Sequence, residues 1–154
     1  MKGNERLLKT LNQLLADELT AINQYMVHAE MCANWGYSKL HDMAQKRAIV
    51  EMKHAERLIE RILFLEGQPT VSKLNAIHIG AEVPKMMDND LAAEMVAVKG
   101  YNAGIKLAVE VGDNATKEIL EDILKDEDGH VDEIEENSDE IAQMGLQIYL
   151  STQK

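Results

Sequence analysis

Glu51 and His54 stand three residues apart in a segment whose apolar residues recur at helical spacing. A helix there puts both on one face, about 4.5 Å apart along the axis. The same Glu-x-x-His returns at Glu127 and His130, each displaced by 76 residues from its counterpart. Glu18 and Glu94 are separated by that interval too, as are Tyr25 and Tyr101. The residues between match poorly, so the repeat is chemical and structural rather than textual. Each half offers one helix with a glutamate and a second with Glu-x-x-His, the arrangement that builds a two-metal carboxylate site inside a four-helix bundle.

Four carboxylates and two imidazoles suit iron, manganese or zinc. Glu51 and Glu127 are placed to bridge two metals, with Glu18 and His54, and Glu94 and His130, as terminal ligands. Two divalent ions would cancel the four negative charges in a low-dielectric core. Without metal, the cluster is expected to repel itself and raise its carboxylate pKa values, which titrate as a group. A lone helical Glu-x-x-His is weak evidence, since one Glu is more often a boundary residue and one His a satisfied core residue. Two such motifs, with two more glutamates at the same interval on apolar stripes, outweigh that reading. His28, His41 and His78 lack partners at ligand spacing and are expected at the surface or at an interface.

The elements that must position these groups follow from periodicity. A first helix is predicted over residues 4–34, with Leu7, Leu11, Leu14, Ile22 and Tyr25 on one side and Glu18 within that stripe. A carboxylate there is costly unless paired. Trp35-Gly36 breaks the pattern, and Ser38 is a candidate cap for a second helix over 38–66, ending at Glu66-Gly67. Its inward stripe carries Leu40, Ala44, Glu51, His54, Leu58, Ile62 and Leu65. Residues 68–83, with Pro69 and Gly80, read as a long crossover from one end of the bundle to the other. Pro84 opens a third helix over 84–111, through Glu94 and Tyr101, and the fourth spans 115–144, with Glu127 and His130 on its apolar face. Residues 146–151 form a short apolar fifth helix, expected to pack against another subunit because four helices already close the core. The whole chain, 1–154, is expected to be one all-α domain.

Composition agrees. Of 154 residues, 45% are hydrophobic and only 4% aromatic, which suits one aliphatic helical core. A formal charge of −11 argues against nucleic acid and favours cationic ligands. No apolar run approaches a membrane span, and the start, Met1-Lys2-Gly3-Asn4-Glu5-Arg6, lacks a signal-peptide core, so a cytoplasmic protein is expected. Cys32 is the only cysteine, which excludes an internal disulfide and a Cys-x-x-Cys metal site.

The runs Asn12-Gln13-Leu14-Leu15, Glu18 to Tyr25, Glu51-Met52-Lys53-His54-Ala55, Ile59 to Gly67, Ile123 to Glu127 and Gly145-Leu146-Gln147 resemble bacterioferritins over essentially the whole length. The resemblance implies a ferritin-like four-helix bundle assembled into a hollow shell of 24 subunits. It implies iron storage, with a ferroxidase centre at Glu18, Glu51, His54, Glu94, Glu127 and His130 that holds two iron ions per subunit. Fe(II) would be oxidised there by O2 or peroxide, and a ferredoxin-type donor would reduce stored iron for release.

The resemblance also gives Met52 a role as axial ligand of a haem shared between two subunits. On an ideal helix Met52 lies roughly 130° from the midpoint of Glu51 and His54 and so faces the outer flank. Leu19, Asn23 and Met26 on the first helix and Ile49, Met52 and Ile59 on the second outline an apolar groove there. From spacing alone, Met52 reads as dimer packing; the resemblance favours haem. The chain departs from the family pattern at Gln45, Glu133, Lys46 and Val50, which bears on how iron and electrons pass between centre, haem and cavity. Tyr25 is a candidate hydrogen-bond or redox partner of the centre, or a packed bundle tyrosine. The exposed acids from Glu118 to Glu140 could guide iron, although each alone reads as solvated helix surface. Two other functions fit the same motifs: a rubrerythrin-like peroxide scavenger, which usually adds a cysteine-rich iron site this chain cannot build, and a haem-binding or structural shell with an idle metal site.

Overall fold

A computed structural model describes residues 1–154 as five helices with no strand. They are α1 (Glu5–Asn34), α2 (Ser38–Phe64), α3 (Val83–Glu110), α4 (Asn114–Met144) and α5 (Leu146–Ser151). The Asn4 side chain accepts from the Leu7 N–H and the Asp113 side chain from the Thr116 N–H, which caps α1 and α4. Ser38 does not cap α2. It is the first helical residue, and Tyr37 before it makes no side-chain cap bond. Nor is Gly67 the left-handed stop of that helix. Glu66 takes φ +59°, and Gly67 serves close packing, since a Cβ there would lie 2.6 Å from a Leu8 methyl. The helix accordingly ends at Phe64, two residues earlier than its apolar pattern predicts.

Helix directions follow from cross-bundle contacts. On α1 and α3, Arg6 meets Glu110, Glu18 meets Tyr101, and Gln24 meets Asp90, so the two run antiparallel. On α2 and α4, Arg47 meets Glu133, His54 meets Asp126, and Arg61 meets Asp113, again antiparallel. The short turns after α1 and α3 make each hairpin antiparallel as well. Helices α2 and α3 therefore run parallel, and the segment between them must travel the length of the bundle.

That crossover is strapped to α1 by polar groups spaced a helical turn apart. Asn12 bonds the Gln68 carbonyl and the Thr70 N–H. Thr20 accepts from the Asn75 N–H, Gln24 from the His78 N–H, and His28 from the Gly80 N–H. The four-residue spacing of Thr20, Gln24 and His28 lays one acceptor per turn under a chain that has no regular hydrogen bonds of its own.

The core divides in two. Leu7, Leu11, Leu14, Leu58, Ile62 and Leu120 lead the larger cluster at one end, and Leu40, Val83, Met86, Met87, Ile134 and Tyr149 the smaller at the other. Tyr149 comes from α5, which corrects the expectation that four helices alone close the core, while Ile148 of the same helix stays exposed. Its ring is wholly buried in its own subunit and its hydroxyl donates to the Asn137 side chain at 2.5 Å. Four helices leave the end around Leu40 and Cys32 uncapped, and Gly145 at φ +85° turns the chain back to close it. No helix is long and apolar enough to cross a membrane.

Candidate metal centre

Between the two core clusters the apolar stripes are interrupted on all four long helices at one level. Glu18 of α1, Glu51 and His54 of α2, Glu94 of α3 and Glu127 of α4 are almost fully buried, and the His130 side chain is 13% exposed. The structure thus brings the six side chains together in two overlapping groups. Glu18, Glu51, His54 and Glu127 form one and Glu51, Glu94, Glu127 and His130 the other, each offering ligand atoms within 4.8 Å of one another. Glu51 and Glu127 belong to both.

Each histidine turns Nδ1 inward. His54 Nδ1 lies 2.7 Å from Glu127, 3.1 Å from Glu51 and 3.5 Å from Glu18. His130 Nδ1 lies 2.8 Å from Glu51 and 3.3 Å from Glu94. Several of these close approaches are not hydrogen bonds. Glu51 Oε1, Glu94 Oε2, Glu127 Oε1 and His130 Nδ1 are buried with no hydrogen-bond partner. Buried polar atoms are almost always satisfied, so four orphans in one place call for a cation. All four belong to the six converging side chains, which fits a metal.

Protons substitute for metal in this geometry. Burial, and then the charge of Glu51, push the Glu18 carboxyl well above the usual range. Burial likewise raises Glu127, with Glu94 adding to it. Glu51 is held low in spite of burial, because the Glu18 carboxyl and the His130 and His54 rings close beside it favour its charged form. Burial alone would depress both imidazoles. Contacts with Glu127, Glu18 and Glu51 outweigh it at His54 and raise that ring, and Glu51 and Glu94 lift His130 to about 9.

Around the six stand groups placed by the same repeat. The Tyr25 hydroxyl donates to Glu94 at 2.6 Å and the Tyr101 hydroxyl donates to Glu18, so each tyrosine holds the carboxylate from the other half. Burial, followed by these carboxylate charges, pushes both phenols well up. His54 also has its outer nitrogen, Nε2, 2.8 Å from Asp126.

Sequence reasoning missed a second buried polar cluster beside the first. Asp90, 4% exposed, accepts from Gln24 at 2.9 Å and lies 2.8 Å from His28 Nδ1 and 3.5 Å from Arg47. The Arg47 guanidinium also reaches Glu133 and lies over the Tyr25 ring. His28 is therefore an interior residue, 1% exposed, and not a surface or interface one. Its Nε2 accepts from Gly80, so Nδ1 carries the proton given to Asp90. His41 is partly exposed beside Glu30 and Asp42, and His78 is exposed. Part of the acidic face of α4 is engaged: Glu121 by Lys117, Asp122 by Arg57, Asp126 by His54 and Glu133 by Arg47. Met52 is 44% exposed on the outer flank with Met26 and Ile49 exposed near it in the sequence pattern, while Leu19 and Ile59 tuck partly against the core.

The ferritin family model, described as a ferritin-like domain, matches residues 8–144. A bacterioferritin of Rhodobacter capsulatus is 42% identical over 135 residues, which cover 88% of this chain and 84% of that protein. The chain belongs to the bacterioferritin family. Other bacterioferritins agree over greater length: that of Brucella melitensis biotype 1 is 35% identical over 97% of this chain and 92% of its own. That of Mycobacterium leprae is 34% identical over 97% and 94%. Within a bacterioferritin, the two overlapping clusters form a donor set of imidazole nitrogens and carboxylate oxygens suited to a pair of divalent first-row metals.

Proposed function

We propose that this chain is an iron-storing ferroxidase. The observation that carries the reading is the pair of overlapping carboxylate–histidine clusters with four orphaned buried atoms between them. Family membership supports iron as the metal. Two Fe(II) ions are the substrate, held by Glu18, Glu51, His54, Glu94, Glu127 and His130, with Glu51 and Glu127 shared. Each Fe(II) gives up one electron; O2 takes two electrons and two protons and leaves as H2O2, or H2O2 takes the same and leaves as water. The ferric product is stored as mineral in the cavity of a 24-subunit shell.

The chain's own groups prepare the site. His54 and His130 must surrender their protons before Nδ1 can ligate, so uptake of Fe(II) releases protons. Tyr25 donates to Oε1 of Glu94 and Tyr101 to Oε1 of Glu18, in each case the oxygen that also faces the histidine of that half, and so they limit how far the terminal carboxylates swing. Burial excludes water from the carboxylates, which strengthens their hold on a cation.

Met52 fits a haem ligand in chemistry and placement, a half-exposed thioether on the face away from the carboxylates. With the same methionine of a second copy it would hold one haem between two subunits. Haem supplies one-electron redox chemistry there, suited to reducing stored ferric iron with electrons from a ferredoxin-type donor.

Adding Fe(II) to metal-free protein in air and following oxidation tests the reading. The intact chain oxidises it fast, and Glu127→Ala and His130→Ala each slow the reaction by on the order of 100-fold. Equal, slow oxidation in all three would remove the ferroxidase assignment.

A further inference from the structure

The 76-residue repeat that exchanges His54 with His130 does not extend to the residue four positions before each histidine. Asp126 stands four residues before His130, and four residues before His54 stands Val50, so the repeat pairs Asp126 with Val50. Asp126 holds His54 Nε2 at 2.8 Å across the bundle. A valine offers nothing to the corresponding nitrogen of His130. The two tyrosine–glutamate contacts keep the symmetry.

The rest of the site shows the same imbalance. The His54 side chain is 2% exposed and that of His130 13%. His54 Nδ1 makes an aligned hydrogen bond to Glu51, whereas His130 Nδ1 makes none. Of the four orphaned atoms, Glu94 Oε2 and His130 Nδ1 are the terminal ligands of one half; neither terminal ligand of the other half, Glu18 or His54, is among them.

A histidine whose outer N–H is held by a carboxylate has its tautomer and ring plane set, and its inward nitrogen is a stronger donor. We propose that Asp126 is a positioning residue that makes the Glu18–His54 half the tight metal position, and that Val50 leaves the Glu94–His130 half the weak one. The two positions then fill in order, with the second open to exchange. The inference rests on the two-metal reading above and adds an inequivalence that reading does not require.

Anaerobic titration of the metal-free, full-length protein with Co(II) tests it, with bound ions counted by equilibrium dialysis and ligand geometry followed by visible absorption. Two ions per subunit are expected to bind in two steps, at least about tenfold apart in affinity. Asp126→Ala weakens the first step by about tenfold or more, while Asp126→Asn, whose amide oxygen still accepts from Nε2–H, retains most of it. Val50→Asp tightens the second step and narrows the gap. Asp126 is 53% exposed at its side chain, so these variants are not core substitutions. Two ions binding in one step would overturn the inference and leave the two-metal centre standing, as would an Asp126→Ala variant with an unchanged first step. Fewer than two ions per subunit would overturn both.

Discussion

Protonation sets the behaviour of single residues in the metal-free centre. His130 is lifted from 6.5 to about 9, so the stabilisation from its charged form is complete below pH 6.5 and is lost as pH rises to about 9. The raised carboxyls of Glu18 and Glu127 push in the same direction, since a group that holds its proton more tightly when folded favours the folded state at lower pH. Glu51, held low, is ionised throughout that window. The melting temperature of chelator-treated protein should therefore fall between pH 6.5 and 9. The stabilisation conferred by two equivalents of Zn(II) should grow over the same range, because ligation displaces these protons. Differential scanning at both pH values reads each trend. The six converging residues were legible because a fixed interval and helical faces determine where they point. Asp126 was not, since in sequence it is one acid among many on a solvated face. Asp90 was not either, because its partners Gln24, His28 and Arg47 come from two other helices. Asp90→Ala would leave Arg47 and His28 buried without their carboxylate and should cost about 3 kcal/mol in chemical denaturation.

At the scale of elements, apolar periodicity located the four long helices because each has one buried face along its whole length. The ends were less legible. At α2 the apolar stripe continues through Leu65 after the helix itself has stopped at Phe64, so pattern and backbone part company. The end-to-end run of the crossover was legible, but its seat along α1 was not, because side chains on α1 satisfy its backbone and a polar stripe on a helix ordinarily means solvent. That path makes Gly80 critical: a Cβ there would sit 2.4 Å from the Met86 backbone nitrogen. Gly80→Ala should therefore push the crossover off the start of α3 and cost about 1–3 kcal/mol, measured by thermal unfolding. The placement of α5 turned on which end of the bundle four helices leave open, and periodicity does not report that. Tyr149→Ala should lower subunit stability by about 3 kcal/mol, whereas a helix packed on a neighbour would change assembly first.

For the whole molecule, the exposed apolar side chains matter most. Met26, Ile49, Met52, Leu63, Phe64 and Val96 are each at least 44% exposed. In a shell these faces meet other copies, and light scattering should give 24 chains of 17.3 kDa, about 415 kDa. Met52→Ala should abolish haem absorbance on reconstitution and leave the rate of Fe(II) oxidation unchanged, because the thioether lies outside the carboxylate cluster. The formal charge of −11 per chain surrounds the assembly with a field that favours approach of cations at low ionic strength. The most direct test of the account is an anomalous-difference map from crystals soaked anaerobically in Fe(II). It should show two peaks per subunit, one among Glu18, His54, Glu51 and Glu127 and the other among Glu94, His130, Glu51 and Glu127. A single peak, or iron bound only on the acidic surface of α4, would contradict it.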